Sequence, residues 1–204
     1  MTGIWQAALR DMIQVRGEAD VQAELSEFSC PLNKDIEYFI QHKAIEFSKQ
    51  GIASTHLVYV SYREKPVLVG YYALANKTVT IKSNSIKSKS WRSRINRFAV
   101  YNPTLKSYIG AMPLIGQLGK NYANGQNKLI TGDQLLTIAC EKVQSVQLVL
   151  GGKLVYLECE DNDKLIDFYT RNGFWEFGRR NLGGDEIDND GKGYLLQMIK
   201  YFKG

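Results

Sequence analysis

The sequence predicts an α/β domain built on a mixed sheet, and three observations carry that expectation. Strand-like and helix-periodic runs alternate along the chain. Some strand-like runs are joined by short turns and others by helices, so the sheet is mixed. No internal repeat or linker interrupts the 204 residues, a length suited to one full core.

Taken in order, "MTGIWQAALRDMIQ" reads as an amphipathic helix or an extension over residues 1–19, with the single domain running over 20–204. It lacks the basic-then-apolar order of a signal peptide. "ADVQAELSEFSC" reads as a first strand near residues 20–29. Asn33 then caps a helix to about Gln50, whose apolar positions are Ile36, Phe39, Ile40, Ile45 and Phe47. "THLVYVSYRE" and "KPVLVGYYALANKTVTIK" are strands that meet at Glu64-Lys65-Pro66 as a hairpin. Residues 83–106 are polar and basic with little periodicity, so they read as an insertion or long loop with a short helix around Trp91 to Phe98. "SYIGAMPLIGQLGKN" returns to strand character. A polar loop then opens a helix with the apolar face Leu135, Leu136, Ile138, Ala139, Val143 and Val146. "KLVYLECE" is a strand, "NDKLIDFYTRNG" a helix closed by Gly173, and "FWEFGRRNL" and "GYLLQMIKYF" are the last strands.

The composition, 44% apolar and 23% charged, is that of an ordinary globular protein. No apolar run approaches a membrane span, so no membrane partner is expected. Cys30, Cys140 and Cys159 are odd in number and widely spaced, which points to reduced, buried thiols and a cytoplasmic setting. The net charge of +5 hides an asymmetry: from Lys65 to Gly132 there is no Asp or Glu, yet 11 of the 26 basic residues fall there. Such segregation concentrates anionic ligands at one surface. The plainer alternative is a solvated basic loop.

"DFYTRNGF" (Asp167–Phe174) matches the FY-x-x-x-GF signature of the GNAT superfamily of N-acetyltransferases, and the strand–loop–helix–strand–helix order of the C-terminal half resembles that family. "FSCPLNKDIEYF", "GIASTHLVYVSY", "VLVGYYALA" and "LIGQLGKN" together resemble the acetyltransferase toxins of bacterial toxin–antitoxin pairs, over roughly residues 22–180. The resemblance implies a GNAT fold, a mixed and mostly antiparallel sheet flanked by helices, with the basic insertion before the fourth strand. It implies acetyl-CoA as cosubstrate and the amino group of aminoacyl-tRNA as acceptor. An antitoxin protein and a homodimer partner belong to the same expectation.

In the family an Arg/Gln-x-x-Gly-x-Gly/Ala loop binds the CoA pyrophosphate through backbone amides. The matching positions are Asn127, Lys128, Leu129, Ile130, Thr131 and Gly132, followed by Asp133. Only the final glycine is kept, and Ile130 stands at the middle one. Free amides at a helix N-terminus meet the physical requirement without it, and Lys120 and Lys128 add charge. Thr131 or Asp133 caps the helix. The pantetheine arm maps to Gln117, Leu118, Gly119 and Lys120, although Gly119 could also mark a bulge. Tyr169 maps to the proton donor for the departing thiolate, with Phe168 as the packing aromatic. Asn162 is a helix cap, a CoA contact or both.

No general base declares itself. Glu158 and Glu160 share a strand face and are candidates, while ordinary solvated carboxylates are the plainer reading. His42 and His56 read as structural. "EIDNDGKGYLLQ" imitates a calcium loop but lacks the closing Glu and reads as a polar turn, so no metal is expected. For tRNA, the expected contacts are Lys87, Lys89, Arg92, Arg94 and Arg97 of the insertion, with Trp91, Phe98, Tyr101 and Tyr108 interleaved for stacking. Two alternatives stay open: a small-molecule or protein N-acetyltransferase, and a non-catalytic nucleic-acid-binding module on a degenerate scaffold.

Overall fold

The computed structural model describes residues 3–86, 88–184, 186 and 191–203. Its strands are β1 (Ile4–Ala8), β2 (Ser54–Tyr62), β3 (Lys65–Lys82), β4 (Val100–Asn102), β5 (Ser107–Lys120), β6 (Leu154–Cys159), β7 (Trp175–Asn181) and β8 (Tyr194–Tyr201). They form an open mixed sheet in the order β1-β2-β3-β5-β6-β8-β7, with β4 on β5. β5 and β6 are parallel, whereas β1–β2, β2–β3, β4–β5, β6–β8 and β7–β8 are antiparallel. The chain divides into two compact units: the residues up to Ala75 with Gly116–Ala139, and Asn76–Ile115 with the residues from Cys140 onward.

In the first unit, β1 pairs with β2 from Ile4↔Val60 to Ala8↔His56. The lead-in, expected to be a helix or an extension, is therefore a strand followed by helix α1 (Leu9–Arg16). The first strand expected at 20–29 is a helix, α2 (Glu18–Ser26). The alternation Val21, Ala23, Leu25 imitates a strand, but the positions that bury are Val21, Leu25 and Phe28 at helical spacing. The run also favours a helix through Ala, Glu, Gln and Leu. Asn33 does cap the next helix, accepting from the Ile36 amide at 3.1 Å. That helix runs as α3 (Lys34–Tyr38), a π turn over Phe39–Lys43 and α4 (Ala44–Gln50), and it ends on left-handed Gly51. Leu9, Val21, Leu25, Phe28, Ile40, Ala44, Leu57 and Tyr71 form the core here. The β2–β3 hairpin turns on Arg63 and Glu64, both at positive φ (50° and 62°), one residue earlier than the proline suggests.

In the second unit the insertion is structural. It supplies helix α5 (Lys89–Asn96) and β4, so the strand that follows it is the fifth and not the fourth. Ile86 and Ile95 enter the core with Val79, Met112, Tyr156, Phe177 and Ile199. Trp91 stacks on Trp175 with centroids 5.2 Å apart. Gly110 lets β5 lie under the insertion, since a Cβ there would stand 2.8 Å from the Phe98 carbonyl oxygen. Helix α6 (Gly132–Leu150) starts in the first unit and ends in the second, and helix α7 (Asp163–Arg171) precedes β7. All three cysteines are free and buried. Among the described residues no helix is long and apolar enough to cross a membrane.

Candidate active site

In the first unit, β5 ends at Lys120 and a short loop leads into α6. Its hub is Asn121, 4% exposed, a residue the sequence reading passed over. The Asn121 side-chain oxygen accepts from the amides of Ser29 and Ala123, both at 3.1 Å. Its amide nitrogen donates to the Leu68 carbonyl at 3.0 Å and to Gln126 Oε1 at 2.7 Å. All the hydrogen-bonding capacity needed to bury this group is thus used on fixing the loop. A short helical turn (Ala123–Lys128) follows, interrupted by left-handed Asn124 and Gly125.

The helix cap resolves onto Thr131. Its hydroxyl accepts from the Gln134 amide at 3.1 Å, and Gln134 Oε1 accepts from the Thr131 amide at 2.9 Å, a reciprocal capping box. Asp133 lies in the first turn beyond it. The amides of Ile130 and Gly132 donate to no described group. Ile130, at the position where the family pattern has glycine, is a buried core side chain that anchors the loop. Lys128 is exposed and Leu129 half-buried.

Two of the expected cosubstrate contacts have side chains with internal partners, and a third has a packing role. The Lys120 ammonium donates to the carbonyls of Asn127 (3.0 Å) and Ile130 (3.3 Å), so it braces the loop that it was expected to serve as a free cation. The Gln117 side chain donates to Asp35 at 2.8 Å. Gly119 has a packing reason, because a Cβ there would stand 2.3 Å from Ile36 Cγ2. Leu118 is half-buried.

In the second unit, Asn162 caps α7 by accepting from the Lys164 amide at 2.9 Å. The preceding Asp161 accepts from the Tyr194 hydroxyl and lies 3.6 Å from both Arg179 and Lys192, which anchors the start of the helix. Tyr169 sits near the C-terminal end of α7, half-buried, edge-on to Phe168 (4.9 Å) and Phe174 (5.8 Å). The fully buried aromatic is Phe174, whereas Phe168, expected to take the packing role, is half-buried beneath Arg171. The Tyr169 hydroxyl has no hydrogen-bond partner among the described residues. Burial, reinforced by Cys159, Cys140 and Glu160, pushes this phenol well above its ordinary value and keeps it protonated.

Glu158 is committed elsewhere. Arg180 holds it through two hydrogen bonds (2.8 and 2.7 Å), Tyr156 donates a further one, and Lys77 lies 3.3 Å away. Burial alone would raise this carboxyl, but the hydrogen bonds from Arg180 and Tyr156 and the nearby cations hold it below the usual range. A carboxylate so held is a weaker base than an ordinary one. Arg180 also grips Glu186, whose carboxyl falls to about 2, mainly through that hydrogen bond. Glu160 is half-buried. His56 is buried and stacked on Tyr72, and His42 packs on Tyr38. The calcium-like stretch connects β7 to β8, and its residues 187–190 lie outside the described residues.

The arginines expected to meet tRNA divide into two kinds. Arg92 donates to the Ser83 hydroxyl and to the carbonyls of Ser83 and Ile86. Arg94 lies over the rings of Trp91 (5.4 Å) and Tyr201 (4.9 Å). Both hold the insertion down. Lys89 and Arg97 are exposed, and Lys87 lies outside the described residues. Tyr108 is buried against Tyr101 and is not available for stacking, while Tyr101 is exposed.

This strand order and helix placement are those of a GNAT fold. Among solved structures the chain is similar to AtaT complexed with acetyl-methionyl-tRNAfMet, at 18% identity and a TM-score of 0.61 over 95% of this chain and 94% of that one. It is also similar to a Tyr-to-Phe mutant of the AtaT toxin bound to the C-terminus of the antitoxin AtaR and acetyl-CoA (16%, TM-score 0.54, 95% and 91% covered). A third is a Tyr-to-Phe mutant of KacT (15%, TM-score 0.58, 95% and 93% covered). No protein-family model matches the chain, and no curated protein does.

Proposed function

We propose that the protein is an acetyl-CoA-dependent N-acetyltransferase whose acceptor is the amino group of an aminoacyl-tRNA. The observation that carries this reading is Tyr169: a protonated phenol, held by aromatic edges, with no internal hydrogen-bond partner. With its ring fixed by Phe168 and Phe174 and its hydroxyl uncommitted, this phenol is left available to an incoming ligand. Support comes from a fold likeness that spans nearly the whole of both chains and includes a toxin complexed with an acetylated methionyl-tRNA.

The residues suited to hold acetyl-CoA are the uncommitted amides of Ile130 and Gly132 at the start of α6, with exposed Lys128 beside them. The backbone of Gln117–Lys120, Asn127, Leu129, Thr131, Asp133 and Asn162 completes the expected set. Acetyl-CoA supplies an acetyl group activated as a thioester. Tyr169 holds a proton at its phenol oxygen for a thiolate leaving group. With Glu158 locked to Arg180, the acceptor amine reacts in its neutral form and gives its proton to water. An aminoacyl ester, whose amine is less basic than a lysine, suits such a site.

Exposed Lys89 and Arg97 are the insertion's contacts to RNA phosphates in this reading. An antitoxin partner, as recorded for AtaT, and a homodimer belong to the same proposal. The test is transfer of labelled acetyl groups to aminoacyl-tRNA by the parent and by Tyr169→Phe. Label on tRNA with the parent and its loss in the variant support the reading, whereas equal transfer by both removes Tyr169 from the chemistry.

A further inference from the structure

The core-facing stripe of α6 runs on past the surface that covers it. Leu135, Leu136, Ala139 and Val143 are buried on one face of the helix. The next positions on that face, Val146 and Leu150, are 39% and 80% exposed, and Val149 beside them is 84% exposed. Between them in sequence the polar Gln147 is buried, donating to the Leu154 carbonyl at 2.7 Å. The chain then leaves sharply through Gly151 and Gly152, both at positive φ. An apolar helix end is thus left in water where continued burial would favour it.

Next to this end is an open cavity of about 200 Å³, lined among others by Phe98, Met112, Pro113, Leu150 and Leu154. Its only charged lining residue is Lys153. Lys142 stands one turn before Val146 on the helix, and exposed Arg97 immediately precedes Phe98. None of these three cations forms an ion pair among the described residues. Apolar depth with Lys153 at its lining, and with Lys142 and Arg97 on the elements that lead into it, is complementary to an apolar side chain flanked by carboxylates. A second copy of this chain would bring the same cations together and is disfavoured. A lipid surface would lie across a concave site without filling it.

We propose that the end of α6 and the adjoining cavity dock an acidic amphipathic segment of another protein. An apolar side chain of that segment enters the cavity, and its carboxylates meet Lys142, Lys153 and Arg97. This inference shares Arg97 with the proposed RNA surface, but its apolar anchor and the other two cations belong to neither that surface nor the Tyr169 and α6 N-terminal sites.

The test is fluorescence anisotropy of the full chain with three labelled peptides. One has leucines at helical spacing among glutamates, one has lysines in place of the glutamates, and one has serines in place of the leucines. Leu150→Asp is the informative variant, because an exposed side chain can change without unfolding the protein. The parent should prefer the leucine–glutamate peptide by about tenfold or more, and Leu150→Asp should lose that preference. Affinity should fall with salt. Three equal affinities, or an unchanged Leu150→Asp, would overturn the proposal. Concentration-dependent dimerisation that Leu150→Asp abolishes would overturn it in favour of a second copy. Co-sedimentation with phosphatidylserine vesicles that Leu150→Asp abolishes would overturn it in favour of a lipid surface.

Discussion

Tyr169 and Arg180 show how differently two polar side chains in one unit can be employed. The phenol has no internal partner and stays protonated, whereas the guanidinium is fully occupied by Glu158 and Glu186. Tyr169→Phe should lower turnover by about 10²–10⁴-fold, the loss expected for a general acid, with acetyl-CoA affinity nearly unchanged because the ring still packs. Steady-state rates beside calorimetric titration separate these two outcomes. An ordinary phenol ionises near ~10, and the burial at Tyr169 moves that event higher. The rate should therefore hold its plateau, instead of falling, as pH rises to ~10. The Arg180 clamp yields a stability prediction. Glu158 and Glu186 are both held below their unfolded values, Glu186 at about 2. Their contribution is therefore present above the unfolded carboxyl value of ~4.3 and is lost as pH falls through the folded values. Arg180→Met should destabilise by about 2–4 kcal/mol at neutral pH, because it leaves a buried carboxylate short of partners. Thermal melts between pH ~4.5 and ~2 should then show a shallower acid slope in the variant than in the parent.

At the scale of elements, the loop before α6 and the basic insertion were the stretches whose sequence resemblance was weakest. The loop holds its shape without the middle glycine because Ile130 is an anchor and Asn121 a hub, each supported by partners distant in sequence. If its free amides receive a pyrophosphate, Lys128→Glu should weaken acetyl-CoA binding several-fold at low salt and much less at high salt. Equal affinity of parent and variant at every salt concentration would remove the ligand from this loop. The insertion reads as a loop because the apolar residues that it packs into the core, Ile86, Trp91, Ile95, Phe98 and Ala99, are few and set among charges. Its partners, Trp175 and Tyr201, lie some eighty to a hundred residues away. Arg97→Ser should reduce the salt slope of tRNA binding by about one unit. Arg94→Ser should instead lower the melting temperature, by an amount corresponding to about 0.5–2 kcal/mol for its lost cation–π contacts. α2 was misread for a physical reason: the apolar spacing of its first residues fits both periods, and only contact with Leu9 and Ile40 in the core selects the helix.

For the whole molecule, the alternation of elements and the "DFYTRNGF" signature were enough to make the fold class and the C-terminal half legible. The N-terminal strand was not, because Ile4–Ala8 carries no alternation of its own and is specified by its register on β2. The same limit applied to the site. The family resemblance pointed to Tyr169, and residue type to Asn162 and the start of α6 as helix caps, but only the folded chain shows that Lys120, Gln117, Arg92 and Arg94 are already engaged. The acid-free stretch from Lys65 to Gly132 therefore offers fewer free cations than its count suggests, with Lys89, Arg97 and Lys128 among the exposed ones. The central claim is that this scaffold transfers acetyl groups to the amine of aminoacyl-tRNA through Tyr169. The most direct measurement supplies labelled acetyl-CoA to the purified protein with total aminoacyl-tRNA, beside a panel of free and protein amines. The account predicts label in the aminoacyl-tRNA fraction with the parent and a loss of about 10²-fold or more with Tyr169→Phe. Label confined to the other amines, or equal transfer to aminoacyl-tRNA by both proteins, would contradict it.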